Sequence, residues 1–429
     1  MALSADIAAG RSGTRHLGAS IFALGLLGAA VLVLVLYGGT ILQFQLLGIE
    51  TGADAPPGET RLVMLATYLP IMGMMLMHYR DIPGAILLLK GLALFIAILV
   101  ASTLWSMDPG ASIRASVALS VTTIFGAVLY LHYGIGDVVK IIFFTLLGLI
   151  LLSDVLAVVA PSIAIHPVPH LGDWRGYFTH KNVAGQITTW MLPVTLYLAV
   201  SRRIPLWLAC FAILVTLAFI TMTHSKTALA VAILILGLAS IAWLLRSDIR
   251  LTGAVILAAG GMLALVAILL IFAPDTLVGL FGKDATFTGR TYIWSELAYL
   301  IGQKPLLGHG FSAIWDVTYG PLYRFIEDWQ IGSGHNSYMD MLVDVGILGT
   351  AVFVTLILEL LRKSVLLIRY GDWALGLLGF LTFFTLSLLS FSETILPRAH
   401  SLHWVIITIV FMAVEKDYRT MRLSGDSQP

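Results

Sequence analysis

The stretch VVKIIFFTLLGLILLSDVLAVVA, residues 138–160, carries almost only apolar side chains. A helix of this length crosses about 30 Å of hydrocarbon. Lipid offers the backbone no hydrogen-bond partner, whereas a helix satisfies its own amides and carbonyls. The stretch therefore predicts a membrane-spanning helix, and the fold depends on how often such stretches recur.

Similar apolar runs recur along the chain of 429 residues, of which 59% are hydrophobic and 11% are charged. A soluble globular protein carries about 25% charged residues, so the composition excludes a soluble enzyme, a disordered chain and a disulfide scaffold. We predict an all-α polytopic membrane protein, one helical domain over residues 1–429 with about twelve spans. The predicted spans lie near 17–37, 62–79, 84–104, 115–133, 138–160, 183–200, 204–222, 226–245, 252–272, 341–361, 373–391 and 400–414.

The distribution of Lys and Arg predicts the orientation, because cytoplasmic loops carry an excess of both. With a cytoplasmic N-terminus, more than half of the 25 basic residues fall on the inner side. Both termini are then cytoplasmic, and the connection of residues 273–340, between the ninth and tenth spans, is external. Its content of Trp, Tyr, Gly and Pro predicts a folded lid rather than a disordered loop. A net charge of +1 gives no reason to expect nucleic acid as a partner.

Inside this external loop, residues 289–300 read GRTYIWSELAYL and predict a helix at the level of the lipid headgroups, where Trp and Tyr are enriched. Arg290 falls in the first turn of that helix, beside free backbone amides. The guanidinium and the amides together supply donors and positive potential for a phosphate. The alternative is that Arg290 pairs with lipid headgroups or with Asp284.

Residues 332–338 read GSGHNSY and directly precede the tenth predicted span. His335 is expected at the external end of that helix, whose positive end favours the neutral imidazole. A neutral imidazole accepts a proton, which is what a general base must do. A capping or interfacial histidine is the alternative interpretation.

The external segment before the sixth span reads DWRGYFTHKN, residues 173–182. It brings Arg175, Tyr177, His180 and Lys181 to the outer face. Aromatic faces with hydrogen-bond donors suit a carbohydrate, while Arg and Lys suit phosphate. The alternative is a belt that anchors the chain at the lipid headgroups.

Further polar groups are Lys226, Glu393 and Arg398 at external helix ends, and Asp154 inside a predicted span. An intramembrane carboxylate is a functional candidate by default, but a polar contact between helices explains Asp154 equally well. No stretch has the ligand spacing of a zinc or iron site. We therefore expect neither a metal nor another cofactor.

A bond-forming reaction outside the inner membrane needs a donor that was activated beforehand, because nucleotide sugars and ATP are not generally available there. A lipid-linked diphosphate meets this need, since the diphosphate is a good leaving group and the tail lies between helices. Arginines would stabilise the charge on the leaving group, and a neutral His would deprotonate the attacking hydroxyl.

Three stretches resemble the superfamily of O-antigen ligases and exopolysaccharide polymerases, bacterial inner-membrane proteins that include the Wzy-type polymerases. The first is LWSMDP at 104–109, followed by Arg114, and the second is GYFTHKNVAG at 176–185. The third runs from Gly289-Arg290 and Trp294 through KPLLGHG at 304–310 to HNSY at 335–338 and VGILG at 345–349. The parts of the third stretch occur in the order and spacing of the family.

The resemblance implies an inverting glycosyltransferase that moves an oligosaccharide from undecaprenyl diphosphate to an acceptor sugar at the periplasmic face, generally without a metal. It implies His335 as the essential histidine, Arg290 as the loop arginine and Arg175 as the earlier external arginine. The candidates for substrate binding are Lys181, His180, Tyr177, Asn336, Arg398 and Lys226. The implied partners are the lipid-linked donor, a glycan acceptor, membrane lipids and other proteins of polysaccharide assembly and export.

Besides an exopolysaccharide polymerase, three functional alternatives stay open at this point. The His-Lys-Asn sequence at 180–182 is similar to that of exopolysaccharide polymerases, which join repeat units, while an O-antigen ligase would use lipid A core as the acceptor. A transporter or flippase of lipid-linked glycan should place charge along a central cavity, whereas the polar groups here collect at the outer rim. A non-catalytic scaffold would leave the external Arg and His clusters unexplained.

Overall fold

The computed structural model describes residues 23–46, 57–166, 171–245, 290–315 and 332–425. Within these ranges every regular element is a helix, and extended chain pairs only at two isolated bridges, Thr40 with Phe178 and Ile165 with Trp174. The predicted all-α class is confirmed for this part of the chain.

The described residues contain sixteen α-helices. In chain order they are α1 (Ala23–Tyr37), α2 (Leu42–Leu46), α3 (Pro57–Ala66), α4 (Tyr68–Met77), α5 (Ile82–Leu88), α6 (Lys90–Ala101), α7 (Pro109–Val159), α8 (Pro161–Ala164), α9 (Lys181–Thr189), α10 (Met191–Val200), α11 (Leu206–Met222), α12 (Lys226–Leu245), α13 (Arg290–Gln303), α14 (Ser337–Tyr370), α15 (Trp373–Ser390) and α16 (Leu402–Leu423).

Five helices are long and apolar enough to cross a membrane, or six if one pair bent by 103° forms a single span. The five are α7, α9 together with α10, most of α12, α14 and α15, and the bent pair is Leu62–Met77 with Ile82–Leu88. Shorter apolar helices correspond to the predicted spans at 17–37, 84–104 and 204–222. The predicted span at 252–272 lies outside the described residues, so the count of about twelve spans stays a prediction.

The longest helix, α7, is divided by one glycine. It has 51 residues, and at Gly134 the backbone takes φ 68° and ψ 170°, a conformation open to glycine because it has no Cβ. A straight helix of that length would measure about 76 Å, more than twice the thickness of the hydrocarbon layer. Gly134 therefore separates two arms that correspond to the predicted spans 115–133 and 138–160.

Charged turns collect on the side of the molecule where Gly134 lies. Arg203 Nη1 lies 3.9 Å from Asp137 Oδ1, and the Lys416 ammonium lies 6.0 Å from the centre of the Tyr130 ring. We call this side, together with the helix segments 359–363 and 415–419, the basic face. It is the side that the distribution of Lys and Arg predicts to be cytoplasmic.

Helix α14 is interrupted at Gly346, where the backbone is not helical. Residues 304–310 hydrogen-bond to the backbone groups on both sides of this break. The amides of Ile347 and Leu348 donate to the carbonyls of Pro305 and Leu306 at 2.8 and 3.2 Å. In return, the amides of His309 and Gly310 donate to the carbonyls of Val343 and Asp344 at 2.8 and 2.9 Å. Residues 304–310 thus satisfy the backbone groups that the break leaves without helical partners.

Two glycines permit this close approach of backbones. Gly346 has φ 65°, and a Cβ on it would lie 2.3 Å from the carbonyl of Leu306. Gly308 has φ 67°, and a Cβ there would lie 2.6 Å from the carbonyl of Asp344. The stretches KPLLGHG and VGILG, both parts of the third stretch of the family resemblance, are therefore one hydrogen-bonded unit.

The core brings together the ends of the helices that carry the candidate site. Helix α15 is buried almost throughout. Trp404 of α16 stacks on Phe353 of α14 with ring centroids 6.2 Å apart, and its indole N–H donates to Thr123 Oγ1 at 2.8 Å. These contacts position residues 391–401, which connect α15 to α16, beside the start of α14.

Candidate active site

His335 lies immediately before α14 in a constrained backbone conformation. Its φ is 51°, in the left-handed region. The next residue, Asn336, caps the helix, since its Oδ1 accepts from the amides of Tyr338 and Met339 at 3.0 and 3.1 Å. The imidazole is 43% exposed, which leaves it accessible from outside the bundle. The predicted position of His335 at a helix end is confirmed.

A carboxylate faces this imidazole. Glu393, on the connection between α15 and α16, holds its Oε2 3.3 Å from His335 Nδ1, and its side chain is only 11% exposed. Its Oε1 accepts from Asn182 Nδ2 at 3.1 Å. When Nδ1–H donates to Glu393, the second ring nitrogen, Nε2, carries the lone pair. No group within the described residues hydrogen-bonds to Nε2.

Ser337 fixes the backbone of Glu393 relative to His335. Its hydroxyl donates to the Glu393 carbonyl at 3.0 Å and accepts from the amides of Ile395 and Leu396 at 2.9 and 3.1 Å. The Ser337 side chain is completely buried. Because one hydroxyl makes three bonds to the connecting segment, the distance between His335 and Glu393 is set by short, buried contacts.

Asp340 holds the residue before His335. Its Oδ1 accepts from the Gly334 amide at 3.0 Å, and its Oδ2 accepts from the Thr394 hydroxyl at 2.5 Å. The Gly334 carbonyl accepts from the indole N–H of Trp294 at 2.9 Å. Both backbone groups of Gly334 are therefore held, one by α14 and one by α13.

Trp294 and Arg290 lie on the same helix, so the bond from Trp294 to Gly334 places the start of that helix near His335. Helix α13 begins at Arg290, one turn before Trp294, which confirms the helix predicted at 289–300. The side chain of Arg290 lies outside the described part of the structure, as do Asp284 and the remainder of the loop at 273–289 and 316–331. The phosphate role of Arg290 and the lid stay predictions.

Lys181 is paired on the same face. Its ammonium contacts Asp173 Oδ2, and His224 Nδ1 lies 2.6 Å from Asp173 Oδ1. Burial acts to raise the pKa of Asp173, but the hydrogen bonds from Lys181 and His224 outweigh it and lower the pKa. The positive charge of Lys181 is thus neutralised by Asp173, while the neighbouring Asn182 side chain donates a hydrogen bond to Glu393.

Two histidines at the start of α9 act as acceptors for backbone amides. The Asn182 amide donates to His180 Nδ1 at 3.2 Å, and the Lys181 amide donates to His166 Nε2 at 3.0 Å. These bonds satisfy amides that lack partners in the first turn of a helix. His180 therefore has a capping role in addition to its predicted place in substrate binding.

Arg175 and Tyr177 both hydrogen-bond to other parts of the chain. Arg175 is 7% exposed, and its Nε donates to the Ile163 carbonyl at 2.9 Å. Burial lowers the pKa of the Arg175 guanidinium. The Tyr177 hydroxyl donates to Gln45 at 2.5 Å, and its amide donates to Ser153 at 2.9 Å. Both residues join the segment 173–182 to neighbouring parts of the chain.

Arg398 and Lys226 are the more accessible basic candidates. Arg398 lies five residues after Glu393, is exposed, and its Nη1 donates to the Thr394 carbonyl at 3.4 Å. It is within electrostatic range of Glu393 and Asp340. Lys226 is the exposed first residue of α12. The structure therefore brings Arg398 close to the His335–Glu393 pair.

Sequence reasoning named Glu393 as an external group but gave it no role, and it missed Ser337 and Asp340 as its supports. The available signal was the helical spacing of Ser337 and Asp340, which puts them on one face of α14. Glu393 lies 58 residues from His335, and no spacing rule connects residues so far apart. Among the described residues, no group of three or more His, Cys, Asp or Glu side chains is arranged to hold a metal ion.

The fold and this geometry define a polytopic membrane protein with a histidine–carboxylate pair between the starts of α9 and α14 and the connection from α15 to α16. Within that class, residues 210–354 match the family described as O-antigen ligase. The chain is also 33% identical over 150 residues to the exopolysaccharide production protein ExoQ of Rhizobium meliloti (strain 1021). That alignment covers 33% of this chain and 34% of ExoQ. Both findings support the resemblance to the superfamily of O-antigen ligases and exopolysaccharide polymerases.

Proposed function

We propose that this protein polymerises exopolysaccharide repeat units. It would transfer an oligosaccharide from a polyprenyl diphosphate donor to an acceptor sugar hydroxyl at the periplasmic face of the bacterial inner membrane. The observation that carries the proposal is the exposed imidazole of His335 held by Glu393. The family match over residues 210–354 includes Arg290 and His335, and the name of ExoQ places that relative in exopolysaccharide production.

In the proposed reaction, His335 Nε2 takes the proton from the acceptor hydroxyl. The hydroxyl oxygen attacks the anomeric carbon of the donor, the bond between that carbon and the phosphate oxygen breaks, and polyprenyl diphosphate leaves with the electron pair. Attack opposite the leaving group inverts the anomeric configuration. Glu393 keeps the proton on Nδ1 and stabilises the imidazolium that forms, as carboxylates do in other histidine-based sites.

Basic side chains stabilise the negative charge that develops on the departing diphosphate. We assign this role to Arg290 and Arg175, with assistance from Lys181 and Arg398. The bond from Arg175 Nε to the Ile163 carbonyl fixes the direction of its guanidinium. Because these cations take up the charge, the proposed reaction does not require a divalent metal.

The test uses purified protein in liposomes with a defined lipid-linked repeat unit. His335→Ala should lower the rate of polymer formation by about 10²- to 10⁴-fold, the usual contribution of a general base. Product length on gels and product mass are the readouts. His78→Ala is the matched control, because His78 lies on the basic face, and it should leave the rate unchanged. Normal long polymer from folded His335→Ala protein would refute the assignment.

The second candidate is an O-antigen ligase, which the description of the matched family favours. The same chemistry would then deliver the glycan to lipid A core. Supplying both acceptors in one assay separates the two, because the mass of the product identifies the acceptor. Movement of the donor between leaflets without a new glycosidic bond would instead indicate a flippase.

A further inference from the structure

A cavity of about 320 Å³ lies on the basic face, at the end of α14 remote from His335. Its walls come from α5, α6, α14 and α16. The apolar part includes Leu356, Leu360, Phe411 and Val414, and the charged part consists of Lys90, Lys363, Glu359 and Glu415. A pocket with an apolar wall and charged groups at its rim suits an amphipathic ligand rather than a fully soluble one.

The charges around this cavity are unbalanced. Lys363 Nζ lies 2.7 Å from Glu415 Oε2 and 3.5 Å from Glu359 Oε2. Beside the lining, Arg362 pairs with Glu359 at 2.9 Å, and Arg419 pairs with Glu415 at 2.7 Å. The two lining carboxylates are thus shared by Lys363 and two flanking arginines, which leaves a surplus of positive charge around the cavity.

Lys90 adds a further cation to this surplus. It is the first residue of α6 and is exposed, and within the described residues its ammonium has no ion-pair partner. An ammonium at the edge of the hydrocarbon is costly unless it reaches water or an anion. The surplus at the cavity therefore favours a negatively charged ligand.

The polar end of the cavity is held together across helices. Arg419 Nη2 donates at 2.7 Å to the carbonyl of Leu87, at the end of α5. On the other side, α6 and α14 approach so closely that a Cβ on Gly91 would lie 2.2 Å from Leu356 Cδ2. A ligand in the cavity would therefore contact three helices, α6, α14 and α16, at once.

We propose that this cavity binds an anionic phospholipid of the leaflet at the basic face. The phosphate headgroup would lie at Lys90 and Lys363, and the upper part of one acyl chain would lie along Leu356, Leu360 and Phe411. Basic pockets between helices on the cytoplasmic side are suited to anionic headgroups. A soluble phosphate would use the cations but leave the apolar wall without a function. The site is separate from the His335–Glu393 pair and does not depend on the proposed transfer reaction.

The experiment measures lipid binding to the purified full-length protein by native mass spectrometry and thermal unfolding. Phosphatidylglycerol should remain bound and raise the melting temperature, whereas phosphatidylcholine and soluble glycerol phosphate should not. Lys90→Gln should weaken phosphatidylglycerol binding about fivefold, the effect of one basic residue near a charged surface. Lys90→Arg should restore binding, because it keeps the charge.

Arg202→Gln is the matched control, since Arg202 is an exposed basic residue of the basic face away from the cavity. It should bind phosphatidylglycerol as the unmodified protein does. Equal binding of phosphatidylcholine and phosphatidylglycerol would overturn the proposal, as would equal losses in Lys90→Gln and Arg202→Gln. Stabilisation by glycerol phosphate alone would show a soluble phosphate site instead and would also overturn it.

Discussion

At the scale of single residues, the proposed chemistry depends on a carboxylate that does not touch substrate. Glu393 contacts Nδ1 of His335 and not the nitrogen that would take the proton. Its proposed effect therefore passes through the orientation and charge of the imidazole, which makes Glu393 a positioning residue. A role of this kind leaves a kinetic signature that a purely structural role lacks.

We expect Glu393→Gln to lower kcat by about 10²-fold with little change in KM, because the imidazolium loses its counter-charge while substrate contacts remain. Glu393→Asp should recover part of the activity. In a His335→Ala background, Glu393→Gln should lower kcat almost no further, since the effects of residues that act as one unit are not additive. The measurement is initial rate against donor concentration, with the melting temperature as a check on folding.

At the scale of elements, the broken helix α14 positions His335. Residues 304–310 supply the hydrogen-bond partners that α14 lacks around Gly346. The short arm before Gly346 can therefore carry His335, Ser337 and Asp340 at an angle that an unbroken helix would not give. The sequence predicts a helix here because the residues are apolar, but it does not predict the break, because the compensating bonds come from residues 304–310.

Gly346→Ala should destabilise this arrangement by about 2–4 kcal/mol, since a side chain is strained at positive φ and would also meet the Leu306 carbonyl. Gly148→Ala in α7 is the control, because a Cβ there meets nothing within 4 Å, and it should be neutral. Thermal unfolding in detergent compares the two variants. An unchanged melting temperature for folded Gly346→Ala protein would contradict this account of the break.

At the scale of the whole molecule, the apolar runs predicted the helices, and the distribution of polar residues predicted which segments carry the candidate side chains. His335 was predicted because it lies next to a recognisable helix start. Its partner was not, because Glu393 reaches it only after α14, α15 and α16 have packed. Likewise, the sequence predicted Arg175 and His180 as candidate site residues but not their hydrogen bonds to backbone groups, because those contacts form only in the folded chain.

The stability of the region around Asp173 should depend on pH, because this carboxylate joins the start of α9 to the turn between α11 and α12. Its pKa is lowered in the folded protein, so its stabilising contribution is complete above the unfolded value of about 3.9. The contribution is lost as the pH falls through the lowered folded value. Asp173→Asn should therefore reduce stability at pH 7 by about 1 kcal/mol.

Below the folded pKa of Asp173, the unmodified protein and Asp173→Asn should become equally stable. Melting temperatures measured from pH 7 downward test this. Asp81→Asn is the control, because Asp81 pairs with His78 but is 59% exposed, and it should have a smaller effect at pH 7. A constant difference between Asp173→Asn and the unmodified protein at every pH would show that the loss is not electrostatic.

The position of Glu393 also has a consequence for biosynthesis. The ribosome makes His335 well before Glu393, and the two side chains meet only once the connection after α15 has folded back onto Ser337. A nascent chain that has inserted α14 but not α15 therefore holds a histidine without its carboxylate. On the proposed mechanism, the enzyme becomes competent for transfer only when its final helices are in place, so incomplete chains in the membrane do not consume the lipid-linked donor.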